Sequence, residues 1–126
     1  MAKMICIDDM EKYALQHLSK TTADYYKSGA NEEQTLRENR SAFERLRIRP
    51  RFLCDVSNRD LKTTVLGTTV SLPICASPSA MQKMAHPMGE LATAKACESV
   101  GTIMTLSTIS TSSLEEVANA APNGVK

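Results

Sequence analysis

What this chain of 126 residues lacks first is charge of one sign: 15 Lys and Arg stand against 14 Asp and Glu, for a net charge of +1. So balanced a chain carries no electrostatic footprint for nucleic acid. It lacks any apolar run near the roughly 20 residues that a membrane helix needs. Its first ten residues, MAKMICIDDM, hold one Lys and reach acids at Asp8 and Asp9, an apolar stretch too short for a secretory signal. Close cysteine pairs are missing as well. Cys6, Cys54, Cys75 and Cys97 lie far apart, so neither a zinc site nor a CxxC redox motif has spacing to rest on. Without a secretion signal, four reduced thiols are expected. Cys75 and Cys97 fall in apolar runs and read as small core residues. No internal repeat or low-complexity tract stands out. What remains is an ordinary globular composition, 42% apolar and 23% charged, at a length that fits one modest domain.

The first half reads as helical. Ile7, Met10, Ala14, Leu15 and Leu18 keep helical spacing, with Asp8 or Asp9 placed to cap the start. His17 falls on the polar side of that helix. Thr21 or Thr22 would cap a second, short helix through ADYYKSGA, which Gly29 would stop. Asn31, followed by Glu33 and Gln34, would open a third, with Leu36, Phe43 and Leu46 on its buried side. Pro50 disfavours helix at Arg49 and should end it. These helices occupy 1–50.

The stretch 60–72 changes character. Residues 63–66 and 69–72 are β-branched runs around Gly67, a hairpin signal. From Pro73 onward, strand and helix alternate. A strand at 74–76 precedes a helix with Met88, Leu91, Ala92 and Ala96 on one face, ended by Gly101. A strand at 103–106 precedes another helix. Ser112 or Ser113 would cap it, each with a Glu three residues on, and Leu114, Val117, Ala118 and Ala121 would fill its buried stripe. Strand, helix, strand, helix predicts an α/β fold with a parallel sheet and right-handed crossover over 73–126. Two such units do not close a sheet, and a (β/α)8 barrel takes roughly 250 residues. Pro122, Asn123 and Gly124 form a turn where a third strand would be due. The pattern therefore predicts the front of something longer.

In parallel β/α folds chemistry gathers where strands end. The two predicted ends here are Ala76-Ser77-Pro78-Ser79-Ala80 and Leu106-Ser107-Thr108-Ile109-Ser110, both small and rich in hydroxyls. A flat heteroaromatic cofactor could lie against the first, since small side chains admit close approach to the backbone. Small polar residues after a strand also serve plain turn chemistry, and the residues alone leave both readings open. Tyr25 and Tyr26, adjacent on a short helix, read by themselves as packing residues.

Three long stretches carry a resemblance: DYYKSGANEEQTL (24–36), LPICASPSAMQKMAHPMGELATAKAC (72–97) and GTIMTLSTISTSSLEEVA (101–118). They are similar to the N-terminal third of the FMN-dependent 2-hydroxy-acid oxidases, the glycolate oxidase group. The resemblance implies a (β/α)8 TIM barrel with FMN at the C-terminal mouth of its strands. It also implies oxidation of a 2-hydroxy acid such as glycolate to a 2-keto acid, with O2 reduced to H2O2. On matching positions, Pro78, Ser79 and Ala80 approach the flavin edge. Pro78 has no N–H, so Ser79 and Ala80 are the donors. Ser107 matches a residue that bonds the flavin, and Tyr25 one whose hydroxyl contacts the substrate carboxylate. A phenol donates such a bond without adding charge. Glycolate oxidases usually read LSSWATSS where this chain reads LSTISTSS. Ile109 thus stands in place of a tryptophan that covers the substrate, which implies an altered substrate preference.

The family's catalytic His, its substrate Arg, its flavin Lys and its phosphate site have no match within 1–126. His86, in MAHP, is expected to be a structural hydrogen-bonding residue. The family is homo-oligomeric and peroxisomal, with a targeting signal that would fall past Lys126. The resemblance thus implies a fragment of an oxidase, inactive alone. The alternative is a non-catalytic short product that pairs with full-length subunits through an exposed strand edge, or a decayed gene product.

Overall fold

The computed structural model describes residues 4–124 and divides into two compact units, Met1–Cys54 and Asp55–Lys126. The first holds three helices: α1 (Ile7–His17), α2 (Lys20–Lys27) and α3 (Gln34–Glu44). Their starts differ from expectation for local reasons. Cys6, with extended backbone, takes the cap position of α1, so Asp8 and Asp9 fall inside the first turn, where acids suit the helix dipole. Asp9 Oδ2 accepts from the Ile5 N–H at 3.1 Å, and that bond holds its carboxyl below the usual range. Ser19, rather than Thr21 or Thr22, caps α2 by accepting from the Thr22 N–H at 3.2 Å. Thr22 is freed to be a buried residue, its hydroxyl 2.9 Å from that of Ser19. The helix closes on extended Ser28, one residue before Gly29. Asn31 does not cap α3. Asn31 and Glu33 both take left-handed backbone (φ 50° and 55°), and α3 begins at Gln34, its end at Glu44 well short of Pro50.

The expected burial of Leu36, Phe43 and Leu46 is not found: they are exposed, Phe43 by 74%. Helical spacing gathers these side chains on one face without burying them. Thr22 is the one buried residue of 4–54. Polar links do the joining instead, Arg40 reaching from α3 to Glu11 of α1 at 2.5 Å and to Asp8 at 3.8 Å. Such exposed, solvent-screened pairs contribute little.

The second unit opens on a hairpin inside the predicted span. Strands β1 (Thr63–Val65) and β2 (Thr68–Val70) pair antiparallel, Thr63 with Val70 and Val65 with Thr68. The two-residue loop Leu66-Gly67 has positive φ at both positions (50° and 82°), a turn whose twist matches that of the strands. Val70 is 1% exposed. The Ser71 N–H then donates to the Gly101 carbonyl at 2.9 Å. The predicted parallel strands at 74–76 and 103–106 reduce to one parallel bridge, Ala76 with Met104. It is made by Ala76 N–H to Ile103 O at 2.9 Å and Thr105 N–H to Ala76 O at 3.0 Å. The orientation is as expected, the ladder much shorter. Parallel pairs are found with both faces covered, whereas Ile74 is 69% exposed and Cys75 is exposed rather than in a core.

Helix α4 (Gly89–Val100) ends as expected on left-handed Gly101 (φ 68°). Its buried side is rotated from the predicted one: Glu90, Ala94 and Cys97 are buried, while Met88 and Ala96 are exposed. An acid occupies the inner face, and counting apolar residues alone misplaces it. Helix α5 (Leu114–Ala120) starts at the predicted capping box, Ser113 with Glu116. Ala121 is buried and Val117 half-buried, but Leu114 is 68% exposed. An open cleft of about 520 Å³ explains that exposure. It is lined by α4, α5 and the 104–106 segment, with Leu114, Val117, Cys97 and Met104 on its walls. The turn at 122–124 forms, Gly124 N–H to Ala121 O at 3.0 Å. The strand expected after it lies outside the described residues. No described helix is long and apolar enough to cross a membrane.

Candidate functional site

The bridge between Ala76 and Met104 is parallel, so the loops that follow, 77–81 and 105–111, leave the same edge of the second unit. They are joined again at their far ends, where the Met81 N–H donates to the Ile109 carbonyl at 2.9 Å. The intervening residues are held between two sets of backbone bonds. Pro78, Ser79, Ala80, Ser107 and Ile109 all fall within this frame. Pro78 and Ser79 are exposed, Ala80 and Ser107 half-buried, and Ile109 is 62% exposed. The Ser107 hydroxyl accepts from the Ile109 N–H at 3.2 Å. A hydroxyl that accepts still has its own hydrogen to give, so Ser107 is orientated by its neighbour and able to donate outward. Met81, which closes the frame, takes left-handed backbone (φ 48°), a conformation that costs a non-glycine residue on the order of 1 kcal/mol and that gathers at functional sites.

Tyr25 belongs to the other unit. It is 44% exposed on α2, its ring edge-on to Tyr26 with centroids 5.3 Å apart. Tyr26 is exposed too, by 39%, so the pair is no core. Of the two histidines, His86 accepts through Nδ1 from the Met88 N–H at 3.2 Å, the structural task expected of it. His17 is exposed, stacked on Tyr13. All four cysteines are free thiols, and burial first, then the neighbouring Cys75, pushes the Cys97 thiol upward. Among the described residues no cluster of His, Cys, Asp or Glu could hold a metal ion.

Sequence reasoning missed Glu90. Its side chain is fully buried at the start of α4, 0% exposed. Oε1 accepts from the Gln82 N–H at 3.1 Å, the Thr111 N–H at 2.8 Å and the Thr111 hydroxyl at 2.9 Å. Oε2 accepts from the hydroxyls of Thr111 at 2.7 Å and Ser112 at 3.0 Å. Burial raises the carboxyl's pKa, but the Thr111 and Gln82 bonds overrule it and carry it from 4.5 down to about 2. The residue reads as an ordinary first-turn acid. The available signal was an excess of hydroxyls: of Ser110, Thr111, Ser112 and Ser113, one suffices for the cap.

The site offers small side chains at 77–80, an orientated hydroxyl at Ser107 and an apolar wall at Ile109 beside them. Residues 14–125 match the family model of FMN-dependent dehydrogenases. The chain is 52% identical to human 2-hydroxyacid oxidase 1 over 126 residues, all of this chain and 34% of that protein. It is 55% identical to glycolate oxidase of Spinacia oleracea over 116 residues, 92% of this chain and 31% of that one. Among solved structures, the flavin-binding domain of baker's yeast flavocytochrome b2 superposes with a TM-score of 0.91 at 37% identity, covering 97% of this chain and 32% of that one. The chain thus spans about a third of the length of the relatives it matches.

Proposed function

The chain belongs to the FMN-dependent dehydrogenase family, and from that premise we propose that it is the N-terminal segment of a flavoenzyme that oxidises a small 2-hydroxy acid to the 2-keto acid. Pro78, Ser79, Ala80 and Ser107 line the flavin in this reading, and Tyr25 and Ile109 contact the substrate. Bound FMN would supply the acceptor for the two electrons that leave the substrate's α-carbon, with O2 as the final oxidant. This chain's own residues bind and orient. The Ser79 and Ala80 amides and the Ser107 hydroxyl bond polar atoms of the ring, and Pro78, lacking an N–H, shapes the loop. The Tyr25 phenol donates to the substrate carboxylate. Ile109 is an apolar wall against the substrate's carbon chain.

The observation that carries the reading is the doubly tied pair of strand-end loops, with the Ser107 hydroxyl fixed by the Ile109 N–H. Titration of FMN into the 126-residue chain, read by amide chemical shifts, tests it. Weak binding with shifts confined to 77–80 and 107–109, and no flavin bleaching on adding glycolate, is the expected result. Shifts elsewhere or none would overturn the flavin assignment. Bleaching by this chain alone would overturn its reading as a partial site.

Ile109 gives a specificity test. In the full-length protein, Ile109→Trp should move preference from longer aliphatic hydroxy acids toward glycolate by on the order of tenfold in kcat/KM, the scale of a changed apolar pocket. An unchanged ratio would remove Ile109 from the substrate wall. The second reading, a non-catalytic piece that pairs with other subunits, draws on the open 520 Å³ cleft and its exposed Leu114.

A further inference from the structure

We propose that Glu90 is a positioning residue that sets the separation of the two strand-end loops without itself touching a ligand. That the loops it sets are the flavin and substrate loops rests on the function proposed above. Glu90 stands on α4 behind both loops. One carboxylate oxygen accepts from the backbone at the far end of each, Gln82 just past the first and Thr111 closing the second. The remaining acceptor capacity is filled by the hydroxyls of Thr111 and Ser112. A single atom, Oε1, is therefore the shared anchor of two chain segments about thirty residues apart in sequence. Bonds that do not involve Glu90 carry the constraint outward. The Lys83 N–H donates to the Thr111 hydroxyl at 3.1 Å and Lys83 Nζ to the Thr111 carbonyl at 3.2 Å. Met81 then meets the Ile109 carbonyl at 2.9 Å. The anchor lies one residue from Met81 on one loop and two from Ile109 on the other. A shift in Glu90 is thus passed to Ala80 on one side and to Ser107, through Ile109, on the other.

The approach is close enough to exclude a side chain beside it. Gly89 has φ 45°, and a Cβ there would lie 2.7 Å from Lys83 Cγ and 3.0 Å from Lys83 N. Glycine at this position brings the Lys83 backbone against the first turn of α4, within reach of Glu90. A carboxylate suits the task better than a neutral group. It is acceptor-only, so all four donors can point at it without a choice of orientation. Bonds to an ionised acceptor are also the stronger kind.

Amide hydrogen exchange on the 126-residue chain tests this, residue by residue. In E90A, exchange at Met81, Gln82 and Thr111 should accelerate by about tenfold or more, the effect of losing bonds to a charged group. Met81 decides the matter, since its N–H donates to the Ile109 carbonyl. The amides of Thr102 and Val117, bonded to Cys97 and Ser113, should be unchanged. Equal acceleration at Thr102 and Val117 would make Glu90 a general stability residue and overturn the proposal, as would an unchanged Met81. E90Q keeps an oxygen for both backbone donors and should restore Met81 to within about threefold of the parent rate. Should E90A not fold, E90D serves: it keeps the charge, withdraws it by one methylene, and should reproduce the same local pattern at smaller amplitude. Titration of the parent chain with FMN reads the flavin assignment separately. Absent FMN shifts beside the predicted exchange pattern would count against that assignment alone.

Discussion

Residues 4–54 and 55–124 are built on opposite principles. The first region has strong helical periodicity and almost nothing inside: its single buried residue is Thr22, and Phe43 and Leu46 on its apolar stripe are exposed. The second has weak periodicity in α4 and scarcely a ladder between its parallel strands, yet it holds a buried carboxylate, buried hydroxyls at Thr102 and Ser112, and close backbone contacts. Amphipathic spacing shows which face a helix offers, not that anything covers it. A buried acid must be satisfied on all sides or be excluded, so it fixes its neighbours where apolar residues would tolerate several arrangements. The region with the poorer pattern is the one with the better defined site.

Acid should break the contrast most sharply. The folded-state pKa of Glu90 lies near 2, below its ordinary 4.5. A depressed carboxyl contributes stability above its unfolded value and loses it as pH falls through the folded one. The contribution to 55–124 is therefore complete above about pH 4.5 and fades toward pH 2, a loss on the order of 2 kcal/mol. Urea midpoints between pH 6 and pH 2.5, read with a probe in 55–124, check this. E90Q should flatten most of the slope, and an equally steep E90Q would place the acid sensitivity elsewhere. Gly89→Ala comes next. It places a Cβ 2.7 Å from Lys83 Cγ at φ 45°, and should cost about 2 kcal/mol by strain and displacement of the Lys83 backbone. A midpoint within error of the parent would show that the 82–84 turn yields easily.

Much of the fold was legible because its signals are local. The Ser113 capping box, the Gly101 helix end and the Gly67 hairpin each depend on a few adjacent residues, and each is found. The candidate strand-end residues rest on likeness to a family rather than on spacing, since small hydroxyl residues also make ordinary turns. The missed features are all non-local. Cys75 is exposed because the partners a core needs are not beside it, and α4 turns Glu90 inward because Gln82, Thr111 and Ser112 wait there. No periodicity shows that four donors from two loops will converge on one acid.

The smaller predictions sharpen the contrast from its mild side. Leu66 sits 99% exposed at φ 50°, where a leucine has strain to bear and nothing to pack against. Leu66→Asn should stabilise the hairpin by about 1 kcal/mol at most, since Asn-Gly is the preferred pair for this turn. A raised thermal midpoint would confirm it; a lowered one would mean the side chain is covered in solution. Phe43→Ser should have the least effect of all. Removing a phenyl ring from a core costs roughly 3–5 kcal/mol, but this ring is 74% exposed on α3. In the 126-residue chain the change should lie within about 0.5 kcal/mol, the ordinary range for surface positions. Helicity followed by circular dichroism through a urea titration measures it. A loss of several kcal/mol would mean that the apolar stripe of 34–44 is covered after all, and the first region would then rest on the same ground as the second.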